Sequence, residues 1–195
     1  MASQITCTLR NDTLEHLKTS GRVLKYRELR IDESGEISVN GKTLFKGYLE
    51  KDTLSVREIL IKPFDKEGWF KTGDVGSLDE EGYLNVYGRK DLMFIYKGEN
   101  IFPEEIENVL KELKKIDDAL VVPVSMGREG QIPAAFLKSK DYQNLDFNSI
   151  RKSLLYKIES FKIPEIFLKW PQNETSFKPD RKKFEKIAGQ KIKIH

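Results

Sequence analysis

The chain is poor in cysteine and histidine, has almost no net charge, and lacks any long apolar run. Its one cysteine, Cys7, excludes an intramolecular disulfide, and no Cys/His spacing resembles a zinc site, so a reducing compartment fits. The two histidines, His16 and His195, have no acid or nucleophile at a telling offset, and neither reads as a catalytic base. Nowhere do eighteen apolar residues occur together, and the opening MASQITCTLRNDTLEHLK has no basic stretch followed by an apolar one. A cytoplasmic protein, neither secreted nor membrane-spanning, is expected. Lys and Arg number 34 against 31 Asp and Glu, and a net charge of only +3 argues against nucleic acid as a partner. Internal repeats and low-complexity linkers are also lacking.

What the sequence does contain is enough apolar material, 38% of 195 residues, to bury one large core or two small ones. Between Gly21 and Gly88 the texture is of short strands and turns. KYRELRID alternates bulky and polar residues, DESG turns, and EISV is a strand. Asn40-Gly41 carries the two-residue type I′ hairpin signal ahead of KTLFKGYL, and LDEEG separates DVGSL from YLNVYG. A small antiparallel, barrel-like β subdomain is expected over 21–88.

After Arg89 the pattern changes to strands alternating with helices. PEEIENVLKELKKI places Ile106, Val109, Leu110 and Leu113 at helical spacing, with Pro103 and two acids in the first turn. DALVVPV, PAAFLK and IPEIFLKW read as strands, FNSIRKSLLYKI as a second helix, and PDRKKFEKIA as the start of a last short one. The fold class is therefore α+β, the β subdomain being followed by a compact α/β C-terminal domain over 89–195. The polar joint near YGRKD, 87–91, is a plausible hinge.

Within this frame a few polar residues invite a chemical reading. Asp74 ends EGWFKTGD after a Thr-Gly turn, where a carboxylate can accept two hydrogen bonds from a vicinal diol such as a ribose; an ordinary turn fits the same residues. Arg89 closes the same hairpin and can reach that sugar or a phosphate, or simply sit on the surface. Gly98 lies in a loop ahead of a helix that Asn100 is placed to cap. Lys178 can deliver a mobile positive charge from a polar loop, although Lys182, Lys183, Lys186, Lys191 and Lys193 make the whole tail lysine-rich and charge does not single it out.

Taken in order, GEISVNGKTLFKGYL, GWFKTGD, GYLNVYGRKD, GENIFPEEIE, FKIP and KPDRKK resemble the consecutive C-terminal motifs of the AMP-forming acyl- and aryl-CoA synthetases, the adenylate-forming superfamily. The resemblance spans nearly the whole chain. It implies that Asp74 binds the adenylate ribose with help from Arg89, that Trp69 and Phe70 pack this turn, and that Asp91 is the hinge of a mobile C-terminal cap. It further implies that Lys97, Gly98 and Glu99 line the pantetheine channel for CoA and that Lys178 is the catalytic lysine. The family usually has a glycine just before that lysine; here the neighbours are Phe177 and Pro179.

MASQ, LSVREILIKPFDKEGWFKTGD and VVPVSMGREGQIPAAF are most similar to the o-succinylbenzoate-CoA ligases of menaquinone biosynthesis, with other aryl- or acyl-CoA ligases behind. The implied chemistry uses ATP, releasing AMP and pyrophosphate, then CoA. No Ser/Thr/Gly-rich phosphate loop and no large α/β region is present. Residues 1–20 are therefore expected to be the remnant of a large adenylation domain, and the missing N-terminal region to be the chain's partner and to hold most of the Mg²⁺ site. The chain by itself is expected not to adenylate; a non-catalytic module that binds CoA or nucleotide is the alternative.

Overall fold

The computed structural model describes residues 4–51, 58–125, 130–174, 176 and 178–192. The readings made above for 1–3, 54–57, 126–129, Phe177, Lys193 and His195 lie outside them. The chain divides into two compact units, Met1–Asp91 and Leu92–His195.

In the first unit, Thr6–Cys7 (β1) pairs with Arg22–Val23 (β2), and Ile5 joins the core. Arg27–Ile31 (β3) and Glu36–Gly41 (β4) form a hairpin through DESG. The Asp32 carboxylate builds that turn by accepting from the Ser34 and Glu36 amides at 2.9 and 3.0 Å. Tyr48–Lys51 (β5) and Glu58–Ile61 (β6) make a separate two-stranded sheet. Phe70–Leu78 (β7) and Leu84–Arg89 (β8) complete a curled antiparallel sheet of order β3-β4-β7-β8. Their turn is held by Asp79, which accepts from the Glu81 and Tyr83 amides at 3.0 and 2.8 Å. Alternation puts Ile37, Val39, Phe70 and Leu84 inside, with Leu29, Ile31, Phe45 and Phe64 around them.

Asn40-Gly41 does not turn. Both residues stay in β4, paired with Glu28 and Arg27. Gly41 has φ +139°, and a Cβ there would sit 2.4 Å from the Tyr26 carbonyl oxygen, so glycine answers to close strand approach rather than to a hairpin. His16 serves packing: it lies flat on Tyr83, ring centroids 3.9 Å apart, and 3.4 Å from Glu81.

Four carboxyls of this unit have pKa values below the ordinary range for an aspartate. The Leu9 amide does this for Asp12, the Ser34 hydroxyl for Asp32, the Trp69 amide for Asp65, and the Arg89 guanidinium for Asp91. A carboxyl more acidic folded than unfolded lends stability that is complete above its unfolded pKa, about 4, and lost as pH falls through the folded value. The first unit is therefore expected to lose stability as pH falls below about 4. Urea midpoints measured by NMR of residues 65–90 between about pH 6 and pH 3 would report it, and a midpoint that does not fall would refute it.

In the second unit, Phe94–Tyr96 (β9) and Glu99–Ile101 (β10) form a hairpin. Helix α1, Pro103–Lys111, follows and buries Ile106, Glu107 and Leu110. Asp118–Ser125 (β11) and Gln131–Lys138 (β12) run antiparallel with Pro123 opposite Pro133, and Ile166–Lys169 (β13) adds in parallel from Ala134↔Ile166 onward. The Pro133 carbonyl accepts from the Glu165 amide at 3.2 Å, just before that ladder begins. Helices α2, Phe147–Leu155, and α3, Arg181–Ile192, start on Asp146 and Asp180, which accept from amides of their first turns. The core runs through Ile106, Leu110, Val121, Phe136, Leu154 and Phe184, all fully buried. The molecule is thus mixed α+β, a curled half-barrel sheet with few helices. Among the described residues no helix is long and apolar enough to cross a membrane.

Candidate functional site

Asp74 stands where β7 leaves regular pairing on both sides. Against β4 the register passes from Ser38↔Lys71 to Glu36↔Val75, so Thr72, Gly73 and Asp74 together face Ile37 alone. Against β8 a second irregularity falls between Val75 and Gly76. Bulges of this kind bend a strand and re-aim its side chains. Each residue of TGD has a part in the bend. The Thr72 hydroxyl donates to the stranded Ile37 carbonyl at 2.8 Å and accepts from the Asp74 amide at 3.0 Å. Gly73 takes φ +76°, which side chains other than glycine's strongly resist.

Arg89 is the register partner of Asp74. Its guanidinium lies over Gly73, where a Cβ would come within 3.0 Å of Nη2. Nη1 donates to the Thr72 carbonyl at 2.9 Å and passes 3.5 Å from Asp74 Oδ1, while Nε donates to Asp91 Oδ1 at 3.0 Å. Arg89 is thus oriented by the loop and by Asp91, leaving Asp74 one-third exposed and only loosely paired. The structure brings together Asp74, Arg89 and Asp91, as a carboxylate and a guanidinium presented side by side.

Lys97, Gly98 and Glu99 form a second group at the tip of β9–β10. Lys97 and Gly98 have φ +52° and +85°, the two positive values of a type I′ turn, and Glu99 pairs with Tyr96. The Lys97 ammonium lies 4.6 Å over the Tyr96 ring and 3.9 Å from Glu165, which also accepts the Tyr96 hydroxyl. Asn100 does not cap α1. It is a β10 residue paired with Ile95, and the helix starts instead at Phe102 with Pro103 in its first turn and no side-chain cap.

Lys178 is exposed in the loop before α3. Ser176 Oγ donates to its carbonyl at 3.0 Å and accepts from its amide at 3.2 Å. The loop's own carboxylate, Glu174, is taken by Lys183 at 2.9 Å, and Lys178 has no ion-pair partner among the described residues. Nor, among those residues, do three or more His, Cys, Asp or Glu side chains gather to share a metal ion. Sequence reasoning missed Glu36, which bonds Lys90 at 2.8 Å from a site only 10% exposed; the two are too far apart in sequence to signal one another.

These features occur together in a fold that matches adenylate-forming enzymes. No family model matches the chain. The structure of Bacillus subtilis o-succinylbenzoate CoA synthetase (MenE) in complex with the acyl-adenylate intermediate OSB-AMP aligns with a TM-score of 0.77 at 28% identity, over 94% of this chain and 38% of that one. The same synthetase has been solved with ATP and magnesium ion. In sequence the chain is 35% identical over 164 residues to the 2-succinylbenzoate–CoA ligase of Listeria innocua, 84% of this chain and 33% of the relative. It is 33% identical over 158 residues, 81% of this chain and 30% of the relative, to a Rhodococcus jostii CoA ligase for 3-[(3aS,4S,7aS)-7a-methyl-1,5-dioxo-octahydro-1H-inden-4-yl]propanoate.

The chain is therefore homologous to the C-terminal region of 2-succinylbenzoate–CoA ligases. It spans about a third of the length of the curated relatives it matches.

Proposed function

We propose that this chain supplies the ribose-binding, hinge and lysine-bearing part of an AMP-forming acid–CoA ligase, with 2-succinylbenzoate as the acid. The observation that carries the reading is the Asp74–Arg89 pair, held where β7 bulges against β4 and β8 bulges against β7, with Asp74 still open to a ligand. A carboxylate in that setting accepts from both hydroxyls of a ribose, and the adjacent guanidinium stays oriented by Thr72 and Asp91.

In the reaction proposed, the substrate carboxylate attacks the α-phosphorus of ATP and the bond to pyrophosphate breaks. The CoA thiolate then attacks the acyl carbon and AMP leaves. Both first-step reactants are anions, so a positive charge brought to their junction lowers the barrier without moving a proton. Lys178, exposed and without an ion-pair partner among the described residues, is available for this. Asp91 is the proposed pivot of the 92–195 cap, and Lys97, Gly98 and Glu99 are the proposed wall of the pantetheine channel. The described residues do not fit a Mg²⁺ site, and no step here runs through one.

The acyl and adenine pockets are proposed to come from a region equivalent to the rest of the relatives' length.

The test is an NMR titration of the labelled chain with AMP and with its 2′,3′-dideoxy analogue. Saturable shifts at the Gly73 and Asp74 amides are expected, with binding about a hundredfold weaker for the dideoxy compound. Equal response to both, or none to AMP, sinks the ribose assignment. In the ligase completed with the N-terminal region of a relative, Lys178→Ala is expected to lower pyrophosphate release by about 10²–10³-fold while leaving the AMP shifts intact. A smaller loss, or one matched by lost AMP binding, removes Lys178 from the chemical step.

A further inference from the structure

Among the described residues Glu36 is one of two buried charged side chains, Glu107 being the other, and its partner comes from the joint. The Lys90 ammonium reaches Glu36 Oε2 at 2.8 Å and Ser34 Oγ at 3.1 Å, and the Lys90 amide donates to the Gly73 carbonyl at 2.8 Å. Lys71 approaches the same carboxylate only to 3.8 Å. Glu36 is itself seated at the bulge, opposite Val75, and its amide is fixed by Asp32 at 3.0 Å.

One residue earlier, Arg89 is clamped on Thr72, and one residue later Asp91 ends the first unit. Three elements therefore meet on one ion pair: the β3–β4 turn, the β7 bulge and the residue that follows β8. A carboxylate this deep is costly unless a cation stays with it, so buried Glu36 holds the partly exposed Lys90 ammonium in place.

We infer that Lys90 is a positioning residue, whose ion pair with Glu36 keeps Arg89 over Gly73 beside Asp74 and ties the chain by its backbone to β7 up to Lys90. The part of this that concerns nucleotide rests on the proposed function; the latch itself does not. With it closed, movement at the joint starts after Lys90. With it open, the fixed end retreats into β8 and Arg89 loses its aim at the sugar.

The test is amide hydrogen exchange on the full chain, comparing the wild type with Lys90→Met, Lys90→Arg and Glu36→Gln. The reporter is the Lys90 amide, and the Leu84 amide, which donates to the Gly21 carbonyl at 2.9 Å in the same strand, is the control. Exchange at Lys90 is expected to quicken about tenfold or more in Lys90→Met and Glu36→Gln, the weight of one charge-assisted hydrogen bond. Leu84 is expected to stay unchanged, and Lys90→Arg, which keeps the charge, to stay near the wild type.

If Glu36→Gln fails to fold, Lys90→Met and Lys90→Arg decide alone, since Lys90 is 43% exposed at its side chain. An unchanged Lys90 amide, equal quickening in the Met and Arg variants, or equal quickening at Leu84 overturns the latch. Titrating the same chains with AMP separates the two ideas: a wild type blind to AMP removes the nucleotide reading and leaves the exchange result to stand or fall on its own.

Discussion

Replacing Asp74 with alanine is expected to lower the affinity for AMP by about a hundredfold while leaving the fold intact. Hydrogen bonds to a charged acceptor are worth roughly 1.5 kcal/mol or more each, two ribose hydroxyls make about 3 kcal/mol, and every 1.4 kcal/mol is about tenfold. Asparagine keeps one acceptor oxygen, so Asp74→Asn should lose only about tenfold. The fold survives because Asp74's side chain is one-third exposed and only loosely paired with Arg89, while the bend is built by Thr72 and Gly73. Gly73→Ala reaches the same loss of binding by another route. It forces a side chain onto φ +76° at about 1–3 kcal/mol and drives a Cβ against the guanidinium. Titration of each variant, with circular dichroism as the check on folding, decides the matter; an Asp74→Ala chain that binds as well as the wild type would end the ribose assignment.

The second large effect is on stability. Glu107→Ala is expected to destabilise the second unit by about 3–5 kcal/mol, on the order of 15 °C in Tm. Glu107 is 6% exposed, yet it is fully engaged. Its two oxygens take Arg181 Nη1 and Nη2 at 2.7 and 3.0 Å, and Oε1 also accepts the Val121 amide at 2.8 Å. Arg181 Nη1 in turn donates to the Val121 carbonyl at 2.9 Å. Alanine would leave both a guanidinium that is 21% exposed and a backbone donor without their acceptor. Replacing both partners with methionine removes the two charges together and is expected to cost less than the single change. Thermal melts of the single and double variants test this, and a double variant as unstable as Glu107→Ala would contradict the account.

That pair shows where sequence reading stops. Helix α1 was legible from Ile106 and Leu110 at helical spacing, but nothing in that pattern marks Glu107 as a buried ion, because its partner Arg181 lies 74 residues on. Local signals fared well where one side chain and its nearest amides do the work, as at Asp32, Asp79 and Asp180. They misled at Asn40-Gly41 and at Asn100, where strand pairing with a distant segment overrides the local preference of the dipeptide or the cap. At the site, TGD and the hairpin joining Asp74 to Arg89 were visible as residues, whereas the bulge of β7 against β4 and that of β8 against β7, which frame Asp74, were not. Bulge position depends on the register of three strands at once, and no short stretch encodes it.

Pro123 and Pro133 face one another across the hairpin of the central sheet, where neither ring nitrogen has a bond to give. Sliding one strand past the other by a single residue would aim one of those nitrogens at a carbonyl that needs a donor, and would exchange the two buried rows, putting Val121 and Ala135 where Val122 and Ala134 pack. Each misalignment thus forfeits a ladder bond and mismatches the core packing on both faces. The two imino acids act as a built-in proofreader for pairing, so this hairpin should close in one alignment from the outset.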